Sequence, residues 1–248
     1  MLGRALSAHY GVRAESPLDT LALTGAAGLL PTKFEHDGTD LREALHYASL
    51  PADKRAYRDK KVIFLTRDTR DILVSSFFET TRRRLVFEQR PPPFDGTMSD
   101  FVRSAVLGAR KVASFYEIWA RSRYEPRDFM LMSYEQLHAA PGELLTDVLR
   151  FIGAHDVDPG VVAEAVAYGS LENMRTLERA DALGDPRLRP GDPADPDSYK
   201  VRRGVAGGYV NYLSGSDLAY IDRELARRGY PFASRARLLE DPPRSRRA

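Results

Sequence analysis

Cysteine is absent from the 248 residues, which excludes disulfide staples, thiolate nucleophiles and sulfur-ligated metals. Charge of one sign is not in excess either. The 37 Lys and Arg face 35 Asp and Glu, for a formal net charge of +2, so no global field recruits nucleic acid or an anionic membrane, and any anion site must be local. Long hydrophobic runs are also missing. The most apolar stretch, Leu21 to Leu30, is broken by Thr24, Gly25 and Gly28 and falls short of the ~20 residues a membrane-spanning helix needs. Met1 to Tyr10 lacks the apolar core of a signal peptide. These absences lead to the expectation of a cytoplasmic protein. What is present, 43% hydrophobic and 29% charged residues, is ordinary for one soluble domain with a single core.

The pattern along the chain alternates strands with helices, which implies a parallel, helix-covered sheet. Val62 to Thr66 and Phe129 to Met132 read as buried strands, with a short strand also conceivable near Pro31 to Phe34 in otherwise irregular sequence. Helical spacing is expected over Met1 to Tyr10, Leu41 to Ala48, Phe101 to Arg121, Gly142 to Ile152, Val161 to Tyr168 and Ser216 to Arg228. Ala182 to Ser198 carries four prolines and two glycines and reads as a mobile loop. Trp119 is expected in the core, and Arg82 to Arg84 on a solvated helix face. A single domain over 1–233 and a basic, flexible tail over 234–248 complete the organisation.

The richest segment runs from Val62 to Ser76: strand, polar turn, helix. Asp68 followed by Asp71 has the spacing of a helix-start capping pair. Arg67 falls at the carboxyl end of a parallel strand, where open α/β sheets bind ligands. A strand-end arginine, helix-start amides and the hydroxyl of Ser75 suit a phosphate. A structural clasp between Arg67 and Asp68 or Asp71 fits the spacing equally well.

This segment resembles the 3′-phosphate-binding segment of the sulfotransferases that use 3′-phosphoadenosine 5′-phosphosulfate (PAPS). Thr69 stands where the family usually has proline, a residue that supplies rigidity rather than chemistry there. The resemblance implies that Arg67 and Ser75 bind the 3′-phosphate. Lys200 to Tyr209 is similar to the second family signature, a basic pair and a glycine-rich turn, and implies contacts from Arg202, Arg203 and Gly204; without the resemblance it would be a solvated basic loop. Ser133 to Leu137 resembles a third segment whose tyrosine, here Tyr134, reaches the adenine side, whereas composition alone would make Tyr134 a core residue. Ser170 to Met174 resembles a fourth, implying that Ser170, Leu171 and Met174 lie at the adenine; Leu171 replaces the usual aromatic, so aliphatic contact takes the place of stacking. The segments occur in family order over Val62 to Phe232.

Membership of this family implies an α/β three-layer sandwich, a central parallel sheet flanked by helices as in P-loop NTPases. The implied reaction moves a sulfuryl group from PAPS to a hydroxyl or amine on a small-molecule, glycan or lipid acceptor. It needs no metal and no nucleic acid, and a second copy of the chain remains open as a partner. The acceptor must lose a proton, so a base is required. His36, in Pro31 to Asp37, resembles the family's catalytic base, with Lys33 one position further away than the family lysine. A lone histidine beside two carboxylates would otherwise be a solvated loop residue. Acceptor choice is expected to depend on Glu88 to Met98 and Ala182 to Ser198.

The family's glycine-rich loop, which holds the 5′-phosphosulfate, has no counterpart in the sequence, and Met1 to Leu6 resembles the helix that follows it. Losing one transition-state donor of this kind costs ~10²–10³ in rate, so the chain as written is expected to transfer sulfate poorly. The alternative is a nucleotide-binding or interaction protein that keeps the fold without turnover. A nucleotide kinase ranks last, having neither phosphate loop nor metal-ligand pattern.

Overall fold

A computed structural model describes residues 1–14, 19–41, 44–83, 94–185 and 188–229. In chain order, helices α1 (Leu2–Tyr10) and α2 (Thr20–Ala26) precede strand β1 (Lys61–Thr66) and helix α3 (Thr69–Phe78), which runs into a π-helical turn (Glu79–Arg83). Helices α4 (Met98–Arg103) and α5 (Ala109–Ser122) lead to strand β2 (Asp128–Ser133). Five helices follow: α6 (Tyr134–Ala139), α7 (Pro141–Phe151), α8 (Pro159–Tyr168), α9 (Leu171–Arg179) and α10 (Gly215–Arg227). The architecture is α/β: β1 and β2 pair in a parallel sheet flanked by helices. Among the described residues no helix is long and apolar enough to cross a membrane.

The chain divides into two compact units. One comprises Met1–Glu35, Phe78–Pro93 and Met132–Ala206; the other comprises His36–Phe77, Phe94–Leu131 and Gly207–Ala248. In the second unit, Phe64 of β1 meets Tyr116 and Trp119 of α5, joined by Val62, Ile72, Phe115 and the β2 residues Phe129 and Leu131. Phe64 lies 5.4 Å from the Trp119 ring and 6.0 Å from Phe129. Such aromatic contacts add to area burial in fixing one arrangement of helix against sheet. Trp119 is therefore core, as its sequence context suggests, and its indole N–H is also used, by Asp37 at 2.8 Å.

In the first unit α1 packs on α2 and α8, and α8 on α7 and α9. Side-chain caps start several of these helices: Asp158 with Pro159 for α8, Ser170 for α9, and a reciprocal Ser133–Gln136 box for α6.

Several elements differ from the sequence pattern. No strand forms at Pro31 to Phe34; the Thr20 hydroxyl donates to Thr32 O and Thr24 Oγ1 accepts from Thr32 N, so α2 takes these backbone groups. In the expected Leu41 to Ala48 helix, Ala44 has φ 46° and only a 3₁₀ turn, Tyr47–Ser49, forms; residues 42 and 43 lie outside the described residues. The long Phe101 to Arg121 helix is two helices. The Ser104 hydroxyl accepts from Val106 N and Leu107 N, a local alternative to helix continuation. A Cβ at Gly108 would meet the carbonyl oxygens of Phe101 (2.7 Å), Ser104 (2.6 Å) and Val102. Arg83 is buried and ion-paired with Glu79 rather than solvated, whereas Arg84 lies outside the described residues. Within Ala182 to Ser198, Leu188 and Ser198 are buried, and the Ser198 hydroxyl donates to Asp192 O and Asp195 O. Among its described residues the segment forms a 3₁₀ turn, Pro196–Ser198, and is otherwise irregular, anchored at these two buried side chains; residues 186 and 187 are not described. The tail 234–248 and residues 88–93 of the expected acceptor loop also lie outside the described residues.

Two predictions follow from this packing. Gly108→Ala should lower stability by about 1–3 kcal/mol in urea denaturation, because the added methyl meets backbone oxygens that cannot yield independently. Asp217, 4% exposed at its side chain, caps α10 through Ser214 and binds Arg103 and Ser99. Burial alone would raise its carboxyl, but bonds from Arg103, Ser214 and Ser99 outweigh this and hold it well below the usual carboxylate range. The folded state thus binds the proton more weakly than the unfolded chain. This stabilisation is complete above about pH 4 and is lost as pH falls toward the native value. Asp217→Asn should cost about 2 kcal/mol at pH 7 and flatten the acid limb of the stability curve.

Candidate functional site

The exit of β1 carries the first group of candidates. Arg67 is half-buried, and the Tyr116 hydroxyl of α5 accepts from Arg67 N and donates to Arg67 O, both at 3.0 Å. One phenol thus fixes the backbone that launches the arginine. Asp68 Oδ1 accepts from Arg70 N at 2.8 Å, and Ile72 N donates to Asp68 O, so Asp68 opens α3. Ser75 is exposed on that helix. The Thr69 side chain is buried, and its hydroxyl has no hydrogen-bond partner among the described residues.

Asp71 does not reach back to complete a capping pair. Its buried carboxylate accepts from Gly207 N at 2.6 Å and Tyr209 N at 3.0 Å. A glycine suits that turn, since Gly207 has φ 80°. Arg70 reinforces the contact: its guanidinium lies 5.4 Å from the Tyr209 ring and also binds Asp68 and Asp222. Burial would lower the Arg70 pKa, but Asp222 and Asp68 outweigh it and raise it. The segment after β1 and the end of the glycine-rich turn, read separately in the sequence, are therefore one hydrogen-bonded body.

The second group gathers on α9. Leu171, Arg175 and Glu178, spaced i, i+4, i+7, share one helix face. Along it, a Cβ at Gly204 would collide with Leu171, and Gly204 itself has φ 61°. The Arg175 guanidinium donates to Val201 O at 3.0 Å and to Arg202 O. The buried Glu178 carboxylate accepts from Lys200 N at 2.5 Å and Val201 N at 3.0 Å. Segment 200–204 is thus tied to α9 group by group. Arg202 is half-buried, 4.4 Å from the Phe78 ring, and pairs with Asp197 at 3.3 Å; Arg203 is exposed.

The other candidates are more scattered. The Ser170 hydroxyl caps α9 by accepting from Asn173 N at 3.3 Å, and half-buried Met174 lies one turn along the same helix. Tyr134 opens α6 with its ring 4.4 Å from His138, half-buried rather than in the core. His36 is exposed, and no hydrogen bond joins its imidazole to Arg67 or Ser75 among the described residues. Lys33 pairs with Glu35. No group of three or more His, Asp or Glu among the described residues could hold a metal ion.

Asp71, Tyr116, Arg175 and Glu178 were not singled out as site-building residues in the sequence. For α9 the signal was available: the i, i+4, i+7 spacing from Leu171 places a charged pair on the face that bears the candidate leucine. Nothing in the sequence separates Asp71 as a latch from Asp71 as a cap.

The chain belongs to the sulfotransferase family: the sulfotransferase domain matches residues 44–227. Among curated proteins it is 24% identical over 176 residues to the 3-beta-hydroxysteroid sulfotransferase of Cavia porcellus, covering 69% of this chain and 57% of that protein. It is 24% identical over 163 residues to Sulfotransferase 2A1 of Homo sapiens, covering 66% and 54%. The chain thus spans about half the length of the curated relatives it matches. Among solved structures it resembles mouse sulfotransferase SULT7A1 complexed with PAP, with a TM-score of 0.53 and 20% identity over 79% of this chain and 67% of that one. Retinol dehydratase in complex with androsterone and inactive cofactor PAP gives a TM-score of 0.51 at 17% identity, covering 74% and 51%. These likenesses establish the fold.

Asp71→Asn keeps the shape of the latch but replaces one acceptor oxygen with a donor, leaving Gly207 N or Tyr209 N facing an N–H. Amide exchange at Gly207 and Tyr209 should accelerate by about tenfold or more, while the β1 amides keep their protection.

Proposed function

We propose that this chain is a sulfotransferase that takes its sulfuryl group from PAPS and passes it to a hydroxyl on a small-molecule acceptor. The observation that carries the reading is the construction at the end of β1: Arg67 pinned through Tyr116, the first turn of α3 beneath it, and Asp71 tying the glycine-rich turn to that helix. A strand-end guanidinium with helix-start amides is a phosphate-binding arrangement. The donor nucleotide carries a 3′-phosphate that suits it. Family membership and two fold relatives solved in complex with PAP support the same ligand class.

In this reading Arg67 and Ser75 bind the 3′-phosphate. Arg202, Arg203 and Gly204 contribute to holding the donor, with Tyr134, Ser170, Leu171 and Met174 toward the adenine. Gly204, with a left-handed φ and no room for a Cβ against Leu171, keeps the turn close to α9. PAPS supplies the transferable sulfuryl group. The acceptor oxygen bonds to sulfur as the bond from sulfur to the phosphate oxygen breaks, and His36 takes the acceptor's proton, leaving a sulfate ester, 3′-phosphoadenosine 5′-phosphate and a protonated imidazole. His36 suits this role in being exposed, with its hydrogen bonds from Thr39 made at the backbone carbonyl rather than at the imidazole. A steroid-like alcohol is the first acceptor to test, since one curated relative is named a 3-beta-hydroxysteroid sulfotransferase.

Arg67→Ala and Ser75→Ala test the assignment. Calorimetric affinity for 3′-phosphoadenosine 5′-phosphate should fall by about tenfold or more for the arginine and by a smaller factor for the serine, consistent with charged and neutral hydrogen bonds. Unchanged affinity in Arg67→Ala would remove the 3′-phosphate from this place.

A further inference from the structure

The residue beside His36 is built unlike a loop residue. Asp37 has φ 48° and Gly38 has φ 84°, two successive left-handed positions. Only the second has the freedom that glycine confers; a non-glycine residue there persists where its surroundings hold it. The Asp37 carboxylate accepts from Lys54 Nζ at 2.6 Å and Trp119 Nε1 at 2.8 Å on one oxygen, and from the Tyr57 hydroxyl at 3.0 Å on the other. Lys54, 1% exposed at its side chain, also donates to Pro51 O at 2.6 Å and lies 5.1 Å from the Trp119 ring. A Cβ at Gly38 would press on Pro51 Cδ at 2.8 Å. On the other side of the turn, Thr39 N and the Thr39 hydroxyl both donate to His36 O, at 2.9 and 2.6 Å.

An exposed turn does not ordinarily recruit a buried lysine, a core tryptophan and a tyrosine to one carboxylate. Burying a charged pair gives little net stability over an apolar alternative, whereas it fixes geometry well. What this clasp fixes is the backbone from His36 to Thr39, and it anchors that turn to α5, the helix that also pins Arg67 through Tyr116.

We infer that Asp37 is a positioning residue for His36: gripped by Lys54, Tyr57 and Trp119, it holds the His36 backbone so that the imidazole samples few positions. The inference rests on the reading of His36 as the base, and goes beyond it by assigning the residues that aim it.

The test compares Asp37→Gly, which relieves the left-handed φ but deletes the carboxylate, with Asp37→Asn and Trp119→Phe, which keep most of the packing. In wild type the His36 ring should give one narrow NMR resonance. In Asp37→Gly that resonance should broaden or split, and the Thr39 amide should exchange about tenfold faster or more. In sulfate transfer, kcat should fall about 10- to 100-fold with KM for the donor unchanged, as expected when a reacting group is misplaced and binding is not. Asp37→Asn should recover part of the loss, and Trp119→Phe should move in the same direction by less. A folded Asp37→Gly with an unchanged His36 resonance and Thr39 exchange overturns the inference, as does a loss that tracks the melting temperature and raises KM equally. If His36→Asn retains full kcat, the assignment of the base fails, while the NMR comparison still decides whether Asp37 fixes the turn.

Discussion

Asp71 is a carboxylate with 3% of its surface exposed, held by two backbone amides more than a hundred residues away in sequence. Taking such a group out of water is costly unless its oxygens are satisfied, and here Gly207 N and Tyr209 N satisfy them. The arrangement dictates its surroundings. Gly207 must adopt a left-handed φ to present its N–H, Tyr209 must lie against Arg70, and α3 must start where Asp68 starts it. Tyr116 then locks the strand end from the opposite side, so that Arg67 leaves a backbone with little freedom of its own.

The segment 200–204 follows the same logic in reverse. Its backbone carbonyls and amides are taken by Arg175 and Glu178, and its glycine is packed beneath Leu171. In both places a charged side chain on a helix captures the backbone of a glycine-rich segment. Within its own unit, Arg67 leaves a backbone held by Tyr116, and Arg202, paired with Asp197, leaves one held by Arg175. Preorganised donors of this kind bind an anion without first paying to order themselves.

Local patterns carried much of this into the sequence. The apolar run Val62 to Thr66 read as a buried strand, and β1 forms there with Phe64 buried but Leu65 51% exposed. Trp119 was legible as core, but its bond to Asp37 was not, because an indole N–H announces no partner. The long helix failed at Ser104 and Gly108, where a side-chain hydroxyl and a close backbone contact override an unbroken amphipathic spacing. Arg83 was read from its arginine neighbours as solvated, and it is buried because Glu79, one turn earlier, neutralises it. The family resemblance singled out Arg67, Ser75, Arg202 and Gly204, and the spacing from Leu171 points to Arg175 and Glu178, whereas the contacts of Asp71 and Asp37 are encoded by no spacing rule.

The central claim is that a phosphate on the 3′ position of an adenine nucleotide is what this fold recognises. Calorimetric titration of the wild-type chain with 3′-phosphoadenosine 5′-phosphate and, separately, with adenosine 5′-phosphate tests it directly. The account predicts tighter binding of the first by about tenfold or more, the worth of one charge-assisted phosphate contact. Equal affinity for the two nucleotides, or binding of neither, would contradict it.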